Sequence, residues 1–154
     1  MRVTAKVDYA VRAAVVLANA AAAGTAPVKG DRIRQDQDIP FRFCENILGE
    51  LRQAGLVRSR RGAEGGYWLA KPASEISIAD IIRACEGPLA NVRGERPEEI
   101  DYPESAAGLQ LVWIATRASL RRVLEVVTLA DVAAGVLPKK VRPYLNDDGA
   151  WESR

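Results

Sequence analysis

Arg42, Glu45 and Asn46 bring together, on one short stretch of chain, the three side-chain chemistries that read base edges in duplex DNA. A guanidinium donates to the guanine acceptors, a carboxylate accepts from the cytosine amino group, and an amide pairs with adenine. At 100° per residue over 41–53 these three share a face with Gly49 and Gln53, while Cys44, Ile47, Leu48 and Leu51 gather on the opposite one. One face suits a core and the other is left free, a pattern that a plain solvated helix also shows. Directly after it come Arg58, Arg60 and Arg61, then a turn containing Gly62, Gly65 and Gly66. Strand alternation sends Arg58 and Arg60 to the side opposite Val57 and Ser59, and places Arg61 toward the tip. An arginine there can enter a narrow minor groove, where negative potential is concentrated. Gly65 and Gly66 let backbone approach a ligand. The bland reading of the same hairpin is a charged edge that blunts unwanted strand pairing.

Covalent and metal chemistry find little to work with. The 154 residues contain no histidine and only two cysteines, Cys44 and Cys85. A His/Cys zinc site, a Ser-His-Asp triad and a Cys-His pair are therefore excluded. The glycine-rich turn lies between strands and lacks the lysine of a phosphate-binding loop, so no nucleotide site, no cofactor, no metal and no enzymatic activity are expected. Both cysteines fall on apolar helical faces and read as small buried hydrophobes, with a cysteine-based redox switch as the alternative. Two scattered thiols make no disulfide framework, which points to a reducing cytoplasm. Residues 13–23 are apolar apart from Asn19 and end in small residues, as a secretion signal would. Asp8, Arg12 and the helical spacing of Val7, Val11, Ala14, Val15 and Ala18 favour an amphipathic helix instead. No run reaches membrane-spanning length, and no membrane partner is expected.

Charge divides the chain. Residues 1–72 carry 12 Lys/Arg against 7 Asp/Glu, the remainder 10 against 13, so the halves are +5 and −3. A basic half that docks on phosphate, joined to a half with another task, fits that asymmetry.

The elements that would position these residues follow from periodicity and punctuation. Helices are expected over about 6–22, stopped at Gly24, over about 31–37 with Ile33 as the buried anchor, and over 41–53. Strands over Val57 to Arg60 and Tyr67 to Ala70 flank the glycine turn. Ser77-Ile78-Ala79-Asp80 is a capping signature for a further helix, closed by Gly87-Pro88. Residues 89–108 are polar, acidic and without an apolar period, and are expected to form a mobile loop. Leu109, Trp113, Thr116, Leu120, Val123 and Val127 then alternate at four and three, the seam of a long helix that pairs with another helix. Thr128 to Asp131 opens one more turn, and beyond Pro138 the chain is expected to fray. The fold class is mostly α with a small β-hairpin wing: a winged helix-turn-helix with a long C-terminal dimerisation helix. Its domains are a DNA-binding domain over 1–72, an effector loop and dimerisation helices over 73–135, and a flexible tail over 136–154.

Five stretches together resemble the IscR/NsrR/CymR family of winged-helix transcription regulators: RVTAKVDYAVRA, IPFRFCENILGELRQAGLV, SRRGAEGGYWLAKP, ISIADIIRACEGPL and TLADV, spanning Met1 to about Asp131. The resemblance implies base contacts from Arg42, Glu45 and Asn46 and a minor-groove contact from Arg61. The helix face, the wing and the helical seam together point to a cytoplasmic homodimer acting, as a repressor or an activator, on an inverted-repeat operator in double-stranded DNA under a small-molecule or protein effector. A winged helix that binds protein as an adaptor is the alternative. Many relatives hold an iron-sulfur cluster on three cysteines between the EGPL segment and the dimer helix. Residues 89–108 contain none, so the resemblance implies a member without that cluster. Asp8 matches a position that supplies a carboxylate ligand in some cluster-bearing relatives; alone it reads as a helix N-terminal charge or a salt-bridge partner.

Overall fold

The computed structural model describes residues 2–152. Six α-helices and one hairpin follow in the order α1 (Ala5–Ala23), α2 (Gly30–Gln37), α3 (Phe41–Gln53), β1 (Val57–Arg60), β2 (Gly66–Leu69), α4 (Ile78–Glu86), α5 (Gly108–Leu124) and α6 (Leu129–Ala134). This is the winged-helix arrangement expected from the sequence, with each N-terminal element within a residue or so of its expected span.

Helix α1 starts where the Thr4 hydroxyl accepts from the Val7 amide and stops at Gly24, whose φ of 68° is the left-handed conformation that glycine adopts without penalty. Its inner face is Val7, Ala10, Ala13, Ala14, Leu17 and Ala18, all buried. Alanine lets neighbouring backbones come close, and α1 packs against α2, α3, α4, α6 and β2. Ile33 anchors α2, and Cys44, Ile47, Leu48 and Leu51 complete the same core from α3.

The second half packs on this core through α4 and α6, which are joined to each other by two matching capping boxes. Ser77 and Thr128 each accept an amide hydrogen three residues on, from Asp80 and Asp131, whose carboxylates accept in return. The two caps lie side by side as an antiparallel bridge, in which the Ile78 amide donates to the Val127 carbonyl (3.0 Å) and the Leu129 amide to the Ile76 carbonyl (2.9 Å). The hydroxyl and amide of Thr128 hold the Asp131 carboxyl below its usual range.

Three expectations need correction. Val127 does not extend the helical seam: α5 ends at Leu124, and Val127 is buried in its own chain at the capping bridge. The heptad spacing runs on past the helix because the bridge also needs an apolar residue there. Residues 89–108 are not a featureless loop, since Leu89, Pro97 and Ile100 are buried and short 3-10 turns occupy Pro97–Glu99 and Glu104–Ala106. Single apolar anchors in an irregular backbone leave no period to detect. Beyond Pro138 the chain forms a 3-10 turn over Arg142–Asn146, buries Val141, and donates the Trp151 indole N–H to the Leu145 carbonyl. Of the tail expected over 136–154, residues 153 and 154 lie outside the described residues, as does Met1 at the start of the family resemblance.

Leu17 sits at the centre of the core with no exposed surface. Leu17→Ala is expected to lower unfolding free energy by about 2–5 kcal/mol. Urea denaturation followed by circular dichroism would measure it, and a loss below ~1 kcal/mol would mean that α1 is not the packing centre.

Candidate nucleic-acid interface

Helix α3 presents the face that its sequence pattern requires. Its buried side seats it on α1, and Arg42, Glu45 and Asn46 stand exposed on the outside. Among the described residues none of the three is tied by a hydrogen bond or ion pair within the chain, so their donors and acceptors are free for another molecule. Gly49 on the same side meets nothing where a Cβ would stand, which leaves an open approach.

The wing is a two-stranded antiparallel ribbon in the register Val57↔Leu69, Arg58↔Trp68, Ser59↔Tyr67 and Arg60↔Gly66. Arg58, Arg60 and Arg61 are exposed, as alternation and the turn position require. They are not equivalent, however. The Arg60 guanidinium donates to the Glu64 carbonyl (3.0 Å) and so helps to hold the tip, whereas Arg58 and Arg61 have no such tie among the described residues.

Gly65 and Gly66 turn out to serve the wing's own fold. Both are buried; a Cβ on Gly65 would overlap the Arg60 carbonyl oxygen, and one on Gly66, at φ 147°, would stand 2.6 Å from the Val28 carbonyl oxygen. The close backbone approach read from the sequence is therefore an approach of the chain to itself. Val28 joins the ribbon as a single bridge to Tyr67, with amide-to-carbonyl bonds of 2.9 and 2.8 Å.

Sequence reading missed two basic residues of this surface. Lys29, just before α2, donates to the Gly62 carbonyl (2.6 Å) and pins the wing tip to the helices. Arg52, in the last turn of α3, donates to the Ser59 hydroxyl (3.3 Å). With Arg58 and Lys71 it lines a cavity of about 520 Å³ floored by Trp68 and free of carboxylates. The signal for both was the surplus of cations in the first 72 residues, a count that carries no address.

Two ion pairs at the start of α1 hold its neighbours, one reaching α3 and α4 and the other α2. The Lys6 ammonium pairs with Glu50 of α3 (2.8 Å) and donates to the Cys85 carbonyl at the end of α4 (2.6 Å), joining three helices at one cation. The Glu50 hydrogen bond outweighs burial and raises the Lys6 pKa. Asp8 pairs with Arg12 one turn on (3.2 Å), and Arg12 in turn donates to the Gln37 side chain and backbone of α2. Asp8 is thus the salt-bridge partner that the residues alone suggested.

The expected dimer seam is divided by the structure. Leu109 is exposed, Trp113, Thr116 and Val123 are half-buried, and Leu120 faces Val7 and Ile82 of its own chain across a cavity. No residue of α5 is fully buried, and its open side adds Leu111 and Val112, at 69% and 52% exposure, which the heptad reading left out. Among the described residues no helix is long and apolar enough to cross a membrane.

The comparisons with known proteins converge. Residues 3–135 match the sequence profile of a family described as Rrf2, iron-dependent transcriptional regulator. A candidate HTH-type transcriptional regulator of Mycobacterium tuberculosis is 52% identical over 153 residues, covering 99% of this chain and 94% of that protein. Among solved structures, CymR, the global cysteine regulator of Bacillus subtilis, superposes with a TM-score of 0.72 at 31% identity, covering 88% of this chain and 98% of that one. IscR of T. potens gives 0.69 at 33% identity, with 88% of each chain covered.

The donor set does not fit the iron in that family description. Iron-sulfur clusters are held by thiolates, and this chain has two cysteines, on α3 and α4, both buried in the apolar core. Among the described residues no three His, Cys, Asp or Glu side chains group so as to hold a metal ion. A thiol switch fares no better. Burial raises the Cys44 pKa, and it pushes Cys85 from 9.0 to about 11, with the nearby Glu50 adding to the shift. Reactive cysteines need access and a lowered pKa.

Both thiols are expected to stay unreacted toward a disulfide reagent in native protein at pH 8 and to react on unfolding. Stability should also depend on pH in the alkaline range. With the folded pKa of Cys85 above the unfolded one, the unfolded chain gives up its proton first, so stability is full below about pH 9 and declines toward pH 11. Urea midpoints across that window should fall less for Cys85→Ala than for the native chain, and equal slopes would contradict the burial argument.

Proposed function

The chain belongs to the Rrf2 family of transcriptional regulators, and we propose that it is a homodimeric, sequence-specific DNA-binding repressor of an inverted-repeat operator that works without an iron-sulfur cluster. The observation that carries this reading is the unpaired outer face of α3, set beside a wing that holds Arg61 free at its tip. Arg42, Glu45 and Asn46 read base edges in the major groove. Arg61 enters the adjacent minor groove, while Arg58, Arg52 and Lys71 track phosphate. Arg60, already holding the wing tip, contributes charge more than a directed contact. Gly65 and Gly66 contribute by shaping the ribbon that carries these arginines.

Dimerisation follows from α5. The exposed pair Leu109 and Val112, three residues apart and so on one side of a helix without a buried residue, is apolar surface that a second copy would cover. Thr116 and Val123 flank it, Trp113 and Leu120 brace α5 on its own chain, and Val127 lies outside the interface. Two-fold symmetry then places two α3 helices on half-sites about one helical turn apart, the spacing that an inverted repeat provides. Occupying that site is enough to block transcription, in the cytoplasm where the chromosome lies. A small-molecule or protein effector would act through the second half of the chain.

Arg61→Ala is expected to weaken binding to an operator fragment selected from genomic DNA by about 1–3 kcal/mol at fixed salt, with dimerisation unchanged. Native protein should lose log affinity linearly with log salt as phosphate counterions are displaced. A flat salt response in a gel-shift titration would instead favour a protein-binding adaptor. Val112→Glu should convert the dimer to a monomer of 16.7 kDa in light scattering; a variant that remains dimeric would place the interface elsewhere.

A further inference from the structure

The acidic half of the chain contains a concentration of arginines that the DNA-facing surface does not use. Arg83 of α4, Arg96 of the segment before α5, and Arg117 and Arg121 of α5 line one cavity of about 260 Å³, in which Glu98 is the only lining carboxylate among the described residues. The four guanidiniums are brought together by the segment that sequence reading took for a loose loop. Gln110 donates to the Ile100 carbonyl (3.2 Å) and Arg117 pairs with Glu98 (2.6 Å), which fastens the 3-10 turn Pro97–Glu99 to α5 and swings Arg96 over it.

The available carboxylates do not use up these donors. Glu98 is engaged by Arg117, and Glu125 accepts from both Arg83 and Arg121. Asp80 stands 3.6 Å from Arg83, and Arg96 has only a 4.0 Å contact with Glu99. Each guanidinium carries five N–H donors in a planar fork that matches carboxylate and phosphate oxygens, so donors remain beyond those these carboxylates take up. Hydrogen bonds from Arg117 and from Arg83 hold the Glu98 and Glu125 carboxyls, respectively, below their usual range. Each of these arginines already has a carboxylate within 4.0 Å, so an incoming anion binds through the remaining donors of the guanidinium forks and in exchange with those partners.

We propose that the cavity between α4, α5 and residues 88–98 binds a small oxyanion, a metabolite carrying phosphate or carboxylate groups, through Arg83, Arg96, Arg117 and Arg121. The volume admits a compact anion and excludes a nucleic acid strand. The site is separate from the α3 and wing surface, and its existence does not depend on the reading of that surface as an operator-binding face.

Isothermal titration of the full-length protein with inorganic pyrophosphate and with citrate, each against sodium chloride at matched ionic strength, tests the site. Saturable binding of either probe is expected, and the one that binds more tightly identifies the phosphate or the carboxylate class. Affinity should fall at least tenfold in Arg96→Gln/Arg121→Gln and remain within twofold in Arg58→Gln/Arg61→Gln, which removes cations from the DNA-facing side. Should the double variant fold poorly, Arg96→Gln alone, an exposed side chain at the edge of ion-pairing range, serves in its place with a smaller but measurable loss. No saturable binding above the chloride control would overturn the proposal. So would binding that survives Arg96→Gln/Arg121→Gln and is lost with Arg58→Gln/Arg61→Gln, because the anion would then sit on the DNA-facing surface.

Discussion

The close packing of α1 is the constraint on which the rest of the molecule depends. A helix that touches α2, α3, α4, α6 and β2 at once must offer a thin surface, and Ala10, Ala13, Ala14 and Ala18 supply it around the single bulky plug of Leu17. Alanine loses no side-chain entropy on burial and has the highest helix propensity, so the hub is also the most self-consistent helix in the chain. The outward direction of Arg42, Glu45 and Asn46 is a consequence of this arrangement. Once Cys44, Ile47, Leu48 and Leu51 are committed to α1, helical geometry leaves those three no other side. The Lys6 ammonium then fixes the axial position of α3 against α1 and α4 at the same point.

Fixing the wing to the helices is a separate problem, since a two-stranded hairpin is only marginally stable alone. Backbone contact solves it: Gly66 admits Val28 at a distance that any side chain would forbid, and Lys29, the next residue, holds the tip from the other end. The result is a ribbon whose arginines are displayed by a scaffold and not by a free loop. Pre-ordering of this kind lowers the entropy lost when such residues engage a partner. It also explains why the glycines cluster where the cations do, since the turn that presents Arg61 is the turn that must pass against its own backbone.

What was legible in the sequence was whatever repeats. The spans of α1 to α3, the two strands and the capping box of α4 are each written as a periodic apolar pattern closed by a Ser, Gly or Pro signal, and the structure reproduces them almost residue for residue. The division of α3 into a buried and an exposed face was legible for the same reason. Residues 89–108 were not, because Leu89, Pro97 and Ile100 are isolated anchors, and the Gln110 and Arg117 contacts that fasten the segment lie 10 to 19 residues away in sequence. Val127 shows the converse failure, in which a spacing continued although the helix had stopped. Lys29 and Arg52 were invisible as site residues because their roles are set by hydrogen bonds to Gly62 and Ser59, which only the folded hairpin brings within reach.

The two halves meet where α4 and α6 pack on α1, and α4 is the element that also reaches the arginine-lined cavity. Its Arg83 belongs to the arginine-lined cavity, while one turn on Cys85 and Glu86 accept from Lys6 and Thr4 at the start of α1. A ligand in the cavity and the attitude of α3 are therefore separated by one helix and one ammonium group. Contiguity alone transmits nothing, because a ligand shifts an equilibrium only by its differential affinity for the two states. Glu125 is the group able to provide that difference, since it now bridges Arg83 and Arg121 and competes with any anion for both. An oxyanion that displaced it would free α4 from the end of α5 at that bridge, while the Ser77–Thr128 capping pair keeps α4 joined to α6 and both stay packed on α1. An ion-pair exchange at Arg83, and not a large movement of the fold, would be the smallest change sufficient to link the proposed anion site with α3.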